Sequence, residues 1–166
     1  MNNVLLEKKN TGFCGTLTGL VGLYTVFVSD PESPWSEDAR RAHLEAVGEV
    51  SRILRQEAEK DGVRLRFFTQ SDSFAAAECV DRSSYRTALK DAFMTARGVS
   101  SLARLNATLN ARFGTDTTVF FFVLNKKGRG FAIAAEQSCV NADEYTVLFQ
   151  PDRRTYLHEL LHLFGA

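Results

Sequence analysis

The sequence predicts an α/β protein with a mixed, mostly parallel and twisted sheet of about five strands, a long crossover helix and a C-terminal helix. Two observations indicate this class. Short apolar segments rich in Val, Phe and Tyr alternate with longer segments in which apolar residues recur at helical spacing. In addition, the segment Thr117 to Leu124 is apolar on both faces, which is typical of a strand in the centre of a sheet.

The composition favours one globular domain without a nucleic-acid partner. The chain has 166 residues, 45% hydrophobic and 24% charged, so we expect a single domain with a substantial core over residues 1–166. Lys and Arg together number 20, as do Asp and Glu, which leaves no excess of positive charge for nucleic acid or an anionic membrane. Cys14, Cys79 and Cys139 are odd in number and far apart, which argues against a disulfide framework.

The first apolar segment, Phe13 to Val28, is predicted to belong to the fold and not to a signal peptide or a membrane span. No small-residue cleavage site follows it, and it leads directly into the turn Ser29-Asp30-Pro31. It is also too short to cross a bilayer. We therefore expect a cytoplasmic protein, with export by a leaderless route left open.

The first half of the chain predicts a strand, a helix and a second strand. Leu20 to Val28 is a predicted central strand, and Ser36 is the predicted N-cap of a helix that ends at Asp61-Gly62. Within this helix, His43 has charged neighbours in sequence and is expected at the surface. Val63 to Thr69 alternates apolar and polar residues as a strand does, and the long crossover helix makes the two strands parallel.

The second half predicts two helices, three strands and a final helix. Before them, residues 70–77 are expected to form a loop or a short strand. The predicted helices are Tyr85 to Arg97 and Ser101 to Phe113, and the predicted strands are Thr117 to Leu124, Phe131 to Ala135 and Tyr145 to Gln150. Asp152 is the expected N-cap of the final helix.

The final helix contains the H-E-x-x-H pattern as His158-Glu159-Leu160-Leu161-His162. Because one helical turn separates His158 from His162, both imidazoles project from one side of the helix and can hold one zinc ion. Glu159 is the candidate general base. The chain has 3 histidines, and finding two of them at this spacing makes chance a weak explanation. The alternative is an amphipathic helix whose histidines are only packed or solvated.

Residues 158–166 resemble the first nine positions of the metzincin signature, H-E-x-x-H-x-x-G-x-x-H/D. In these zinc metallopeptidases the glycine, here Gly165, lets the chain turn back, and a His or Asp three residues later becomes the third ligand. The resemblance implies the zincin fold, Zn²⁺, a third ligand at position 168 and a C-terminal subdomain beyond residue 166. A site completed otherwise, for example by a glutamate as in gluzincins, is the alternative.

The same resemblance implies a substrate-binding strand. In zincin peptidases the strand shortly before the zinc helix lies at the sheet edge and pairs with an extended peptide. The matching segment here is Gly130 to Glu136. The implied substrate-binding residues are Gly130, Phe131, Ala132, Ile133 and Ala134. An ordinary edge strand without a ligand is the alternative.

The expected function is therefore the hydrolysis of peptide bonds in a peptide or protein substrate. Zinc would activate a water molecule, and Glu159 would act as general base. The alternative is a catalytically incomplete zincin-like fragment, or a module that binds a metal or a partner without turnover. Because the helix supplies only two ligands, the 166-residue chain itself is expected to have little peptidase activity.

Overall fold

The computed structural model describes residues 12–134 and 143–165. Ala135, Glu136 and Cys139 lie outside these ranges. The elements in chain order are β1 (Gly19–Ser29), α1 (Glu37–Lys60), β2 (Leu65–Ala75), α2 (Ala88–Ala96), α3 (Leu102–Phe113), β3 (Thr117–Leu124), β4 (Phe131–Ile133), β5 (Tyr145–Leu148) and α4 (Arg153–Leu163).

The strands form one five-stranded sheet in the order β2-β1-β3-β5-β4. β1 pairs in parallel with β2 and β3, and β3 pairs in parallel with β5. β4 is antiparallel to β5, with Phe131 opposite Val147, and it is the last strand in the order. The predicted mixed, mostly parallel sheet of about five strands is thus confirmed.

Helices cover both faces of the sheet. α1 and α4 pack on one face, against alternate side chains of β1 and β3 such as Val21 and Phe121. α2 and α3 pack on the other face, against the intervening side chains such as Val26 and Phe122. All eight residues of β3 are buried, as expected for a central strand that is covered on both sides.

Helix α1 begins where the sequence predicts, but the predicted surface position of His43 on this helix is wrong. The Ser36 hydroxyl accepts a hydrogen bond from the Ala39 N–H at 3.2 Å, as an N-cap does. His43 is not at the surface, because only 3% of it is exposed. It lies on the same helical face as Ala46, Val47 and Val50, and this face packs against the sheet.

The segment between β1 and α3 differs in two places from the prediction. β2 continues to Ala75, because every residue from 65 to 75 pairs with β1. α2 begins only at Ala88. The Asp81 carboxylate accepts hydrogen bonds from the Ser83 and Ser84 N–H groups, and such local bonds hold the chain in a turn where a helix would otherwise start.

Among the helices in the described ranges, none combines the length and the apolar character that crossing a membrane requires.

Candidate active site on helix α4

The start of helix α4 is fixed by Asp152, as the sequence predicts. Its carboxylate accepts hydrogen bonds from the Arg154 N–H at 3.3 Å and from the Thr155 N–H at 3.1 Å. The Thr155 hydroxyl donates a third bond at 2.8 Å. The bond from this hydroxyl, with the backbone bonds and the charge of Arg154, holds the pKa of Asp152 below its ordinary value. The charged carboxylate therefore stays at the helix N-terminus, where the helix dipole favours it.

The apolar side of α4 sets the direction of its histidines. Tyr156, Leu160 and Leu163 are fully buried against the sheet and α1. The Tyr156 hydroxyl lies 2.8 Å from Nδ1 of His43 on α1. Since these contacts fix the rotation of the helix about its axis, His158 and His162 are left exposed to solvent.

The two histidines converge. Nε2 of His158 lies 3.0 Å from Nε2 of His162, and their ring centroids are 4.4 Å apart. Two nitrogens that bind one tetrahedral zinc at about 2.0–2.1 Å stand roughly 3.3 Å apart, so the observed separation is close to that of a ligand pair. The residues present therefore fit a zinc ion with a slight opening of the pair.

Glu159 is buried, with 7% of its surface exposed, yet it lines the cleft beside the histidines. A carboxylate next to a metal-binding edge is within reach of a water molecule in the cleft. The structure thus brings together the three residues that the H-E-x-x-H pattern predicts.

A third protein ligand is not found in residues 12–134 or 143–165. Within these ranges no group of three or more His, Cys, Asp or Glu side chains is placed to hold a metal ion. Position 168, where the metzincin signature has its third ligand, lies outside them.

The cleft consists of two adjoining hollows of about 540 and 710 Å³. Both hollows are lined by the same wall, which consists of residues 128–130, Phe149, His158 and Glu159. Glu159, the candidate base, therefore lies where the two hollows meet. From this position it could act on a peptide that occupies both hollows.

Two glycines allow the cleft wall to approach its neighbours closely. A Cβ on Gly128 would lie 2.7 Å from the Phe149 ring, and one on Gly130 would lie 2.8 Å from Cγ2 of Thr155. Both distances are shorter than packed carbon atoms tolerate. The sequence predicted a role for Gly130 but not for Gly128, whose neighbour Phe149 is distant in sequence.

The same wall is anchored at its start by Lys126. Its ammonium lies 2.5 Å from a carboxylate oxygen of Asp30 and donates to the Val80 carbonyl at 2.8 Å. Burial disfavours the Asp30 carboxylate, but hydrogen bonds from Lys126 and Ser33 outweigh it and hold the pKa of Asp30 far below its ordinary value. Because Lys126 is held in place, residues 128–130, which follow it and line the cleft, start from a fixed position after β3.

The predicted substrate-binding residues divide into two groups. Gly130 lines both hollows, and Phe131 and Ala132 line the larger one. Ile133 and Ala134 continue along the edge, where Ile133 pairs with Tyr145 and Ala134 packs on the α1–α4 side of the sheet. Ala135 and Glu136, the end of the predicted segment, lie outside the described residues.

For several residues that line the cleft, no pattern in the sequence predicts that position. Their common feature is a positive charge or an aromatic ring in a turn or at a helix end: Arg82, Tyr85, Arg86, Lys127, Arg129, Phe149 and Arg154. They come from four separate segments, so no local spacing joins them. A comparison of the chain with protein families, with curated proteins and with solved structures yields no match.

Proposed function

We propose that this chain carries the catalytic helix of a zinc-dependent metallopeptidase. His158 and His162 would hold the zinc ion, and Glu159 would be the general base. The observation that supports this most directly is the convergence of the two Nε2 atoms to 3.0 Å on the exposed side of α4. One zinc ion bound by both imidazoles accounts for this geometry, and a hydrogen bond between the two rings is the alternative that metal analysis separates from it.

The roles of the residues follow from their positions. When bound, zinc supplies Lewis acidity, which polarises a carbonyl group and lowers the pKa of a water molecule toward about 7. The Glu159 carboxylate takes a proton from the attacking water and passes it to the nitrogen of the leaving amine. Its burial beside the histidines limits competing contacts with bulk water.

The peptide nature of the substrate is supported by the edge strand. β4 is the last strand in the order, it is antiparallel to β5, and its Phe131 and Ala132 line the cleft. An extended peptide that pairs with such a strand is held through main-chain groups, which tolerate varied side chains. The peptide bond to be cleaved would then lie alongside β4, next to Glu159.

Zinc content is the direct test. After desalting, the chain is expected to retain one zinc ion, and a His158→Ala, His162→Ala double variant is expected to retain none. Metal analysis of both proteins, with a His43→Gln variant as a control for loss of a histidine elsewhere, gives the answer. Equal zinc in the chain and the double variant would rule out this site.

Binding without turnover is the second candidate, because only two ligands occur among the described residues. Two imidazoles hold zinc less firmly than the three protein ligands of ordinary catalytic sites. One experiment distinguishes the two candidate functions. It tests whether a chain extended to carry a His or Asp at position 168 cleaves an unfolded protein in a zinc-dependent manner. Tight zinc binding without any cleavage by that chain would favour the second.

A further inference from the structure

The cleft beside Glu159 is lined by positively charged side chains. Arg154 lines the smaller hollow, Arg82, Arg86 and Lys127 line the larger one, and Arg129 lines both. All five residues are exposed. Among the described residues that line the cleft, the one carboxylate is Glu159 itself. The cleft is therefore positive although the chain as a whole has a formal net charge of 0.

These charges are not neutralised by neighbours in the part of the chain that is described. None of the five takes part in any ion pair between described residues. The two acids next to them in sequence have other partners, since Asp81 accepts bonds from Ser83 and Ser84 and Asp152 caps α4. The charge of Arg154 also acts on Asp152, but none of the five forms a salt bridge with a described residue, so together they favour an anionic ligand in the cleft.

We propose that the cleft selects acidic peptides, with Asp or Glu side chains on both sides of the bond that Glu159 addresses. This inference rests on the proposed function, because His158 and Glu159 define where that bond would lie. Arg154 would contact the substrate on one side of the bond, and Arg82 and Arg86 would contact it on the other. Carboxylates are the natural partners, since the guanidinium fork matches their two oxygens.

A peptide fits the geometry better than a nucleic acid. The positive side chains surround a cleft that adjoins β4, the last strand in the order among the described residues, and an extended peptide can pair with a strand in that position. A nucleic-acid backbone instead needs a basic stripe or face that follows its phosphates, usually on a protein with an excess of positive charge. The balance of 20 basic and 20 acidic residues offers no such excess.

Binding of labelled short peptides, measured by fluorescence anisotropy, tests the proposal. A peptide with Asp and Glu on both sides of its centre is expected to bind roughly tenfold more tightly than the same peptide with Asn and Gln, at about 50 mM salt. The difference should shrink at about 500 mM salt, because salt screens exposed charges. Equal affinity for the two peptides at low salt would overturn the proposal.

Charge-matched variants identify the surface that is responsible. Arg82→Gln with Arg86→Gln should remove the preference for acids on one side of the peptide, and Arg154→Gln should remove it on the other. The control is Arg52→Gln with Arg55→Gln on the exposed face of α1, which should leave binding unchanged. If the control pair and the cleft pair weaken binding equally, the cleft is not the site. A single-stranded oligonucleotide of equal charge that binds more tightly through the same arginines would also overturn the proposal.

The same assays separate this inference from the proposed function. With a chelator present, or in the His158→Ala, His162→Ala variant, the arginine-dependent preference for acidic peptides should persist. If this preference persists and no form of the chain cleaves peptides, the proposed peptidase function is wrong and the proposed binding of acidic peptides is supported. If Glu159-dependent cleavage occurs at equal rates for acidic and neutral peptides, the peptidase stands and this inference fails.

Discussion

Among single residues, Glu159 combines burial with a place in the lining of the cleft. It lies almost entirely below the surface, on a helix whose opposite side fills the core, and it still lines the cleft. A residue there that served only for packing would be apolar, because burying a carboxylate without use costs free energy. The proposed role as general base, beside the two converging imidazoles, would give the carboxylate a use.

Glu159→Gln should therefore separate binding from catalysis. The amide has nearly the same shape but cannot accept the proton, so we expect zinc to stay bound while peptide hydrolysis slows by roughly 100-fold to 10,000-fold. The measurement is zinc content and cleavage rate in a chain that carries a His or Asp at position 168. An unchanged rate would mean that another group takes the proton.

His43 is the residue whose environment the sequence did not reveal. Its neighbours in sequence are charged, but its neighbours in space are Phe27, Trp35 and Tyr156. The helical period does contain the signal, since His43 stands three, four and seven positions before Ala46, Val47 and Val50 on the buried face. Helical spacing was thus more informative than the local charge around the residue.

His43 should make the fold sensitive to acid. Burial lowers its pKa from 6.5 to about 4. In the unfolded chain His43 is protonated below pH 6.5, whereas in the folded chain it is protonated only below about pH 4. The free energy of unfolding therefore falls as the pH drops through this window. We expect a loss of about 2 kcal/mol between pH 7 and pH 5 from this group.

Urea unfolding at the two pH values measures the effect. The reference is a His43→Phe, Tyr156→Phe double variant, which removes both ends of the buried hydrogen bond and leaves the other histidines in place. The double variant should lack about 2 kcal/mol of the pH dependence. If both proteins lose the same stability between pH 7 and pH 5, His43 titrates normally in the fold.

At the scale of elements, two glycines with opposite surroundings offer a matched pair. A Cβ on Gly130 would lie 2.8 Å from Cγ2 of Thr155 and 3.1 Å from Cδ2 of Leu148, whereas one on Gly48, inside α1, would meet nothing within 4 Å. Gly130→Ala should therefore destabilise the fold by about 1–3 kcal/mol by pushing the cleft wall away from α4.

Gly48→Ala should instead stabilise the fold by about 1 kcal/mol, because alanine favours a helix more than glycine does. Chemical denaturation of both variants checks the two signs. If Gly130→Ala were as harmless as Gly48→Ala, the cleft wall would be free to move, and its close contact with Thr155 would have no structural importance.

Most elements could be predicted because their patterns are local. Apolar alternation, glycine positions and the caps Ser36 and Asp152 identified the segments of β1, α1, β3, β4 and α4, and the edge position of β4 was expected from the resemblance to zincins. The second half of β2 was left open between loop and strand, since Gln70 to Ser73 is polar, and the segment forms a strand because it pairs with β1. Pairing with a neighbour there overrides a weak local preference.

For the molecule as a whole, the positive cleft could not be read from composition. Equal numbers of basic and acidic residues correctly describe the total charge, but the fold collects Arg82, Arg129 and Arg154 from distant parts of the sequence. In contrast, the H-E-x-x-H residues come from one helix and were predictable. The residues proposed to bind zinc are thus local in sequence, and those proposed to recognise the substrate are not.

Zinc should stabilise the whole fold through its two histidines. A ligand that binds only the folded state at 100 times its dissociation constant adds about 2.7 kcal/mol to the free energy of unfolding. For a chain of this size, that is roughly 5–10 °C in Tm. Thermal unfolding with and without zinc measures the shift, which should vanish in the His158→Ala, His162→Ala variant. A shift that survives in that variant would place the ion elsewhere.

The hydrogen bond between His43 and Tyr156 also sets a timetable for synthesis, since the two residues are 113 positions apart. At about 5–20 residues per second, His43 is synthesised roughly 6–23 s before Tyr156. Throughout that interval the part of α1 that α4 will cover lacks this contact, although His43 can already pack against Phe27 and Trp35. The helix with the candidate catalytic residues is therefore the last described element to dock, onto a sheet whose five strands have all been made before it.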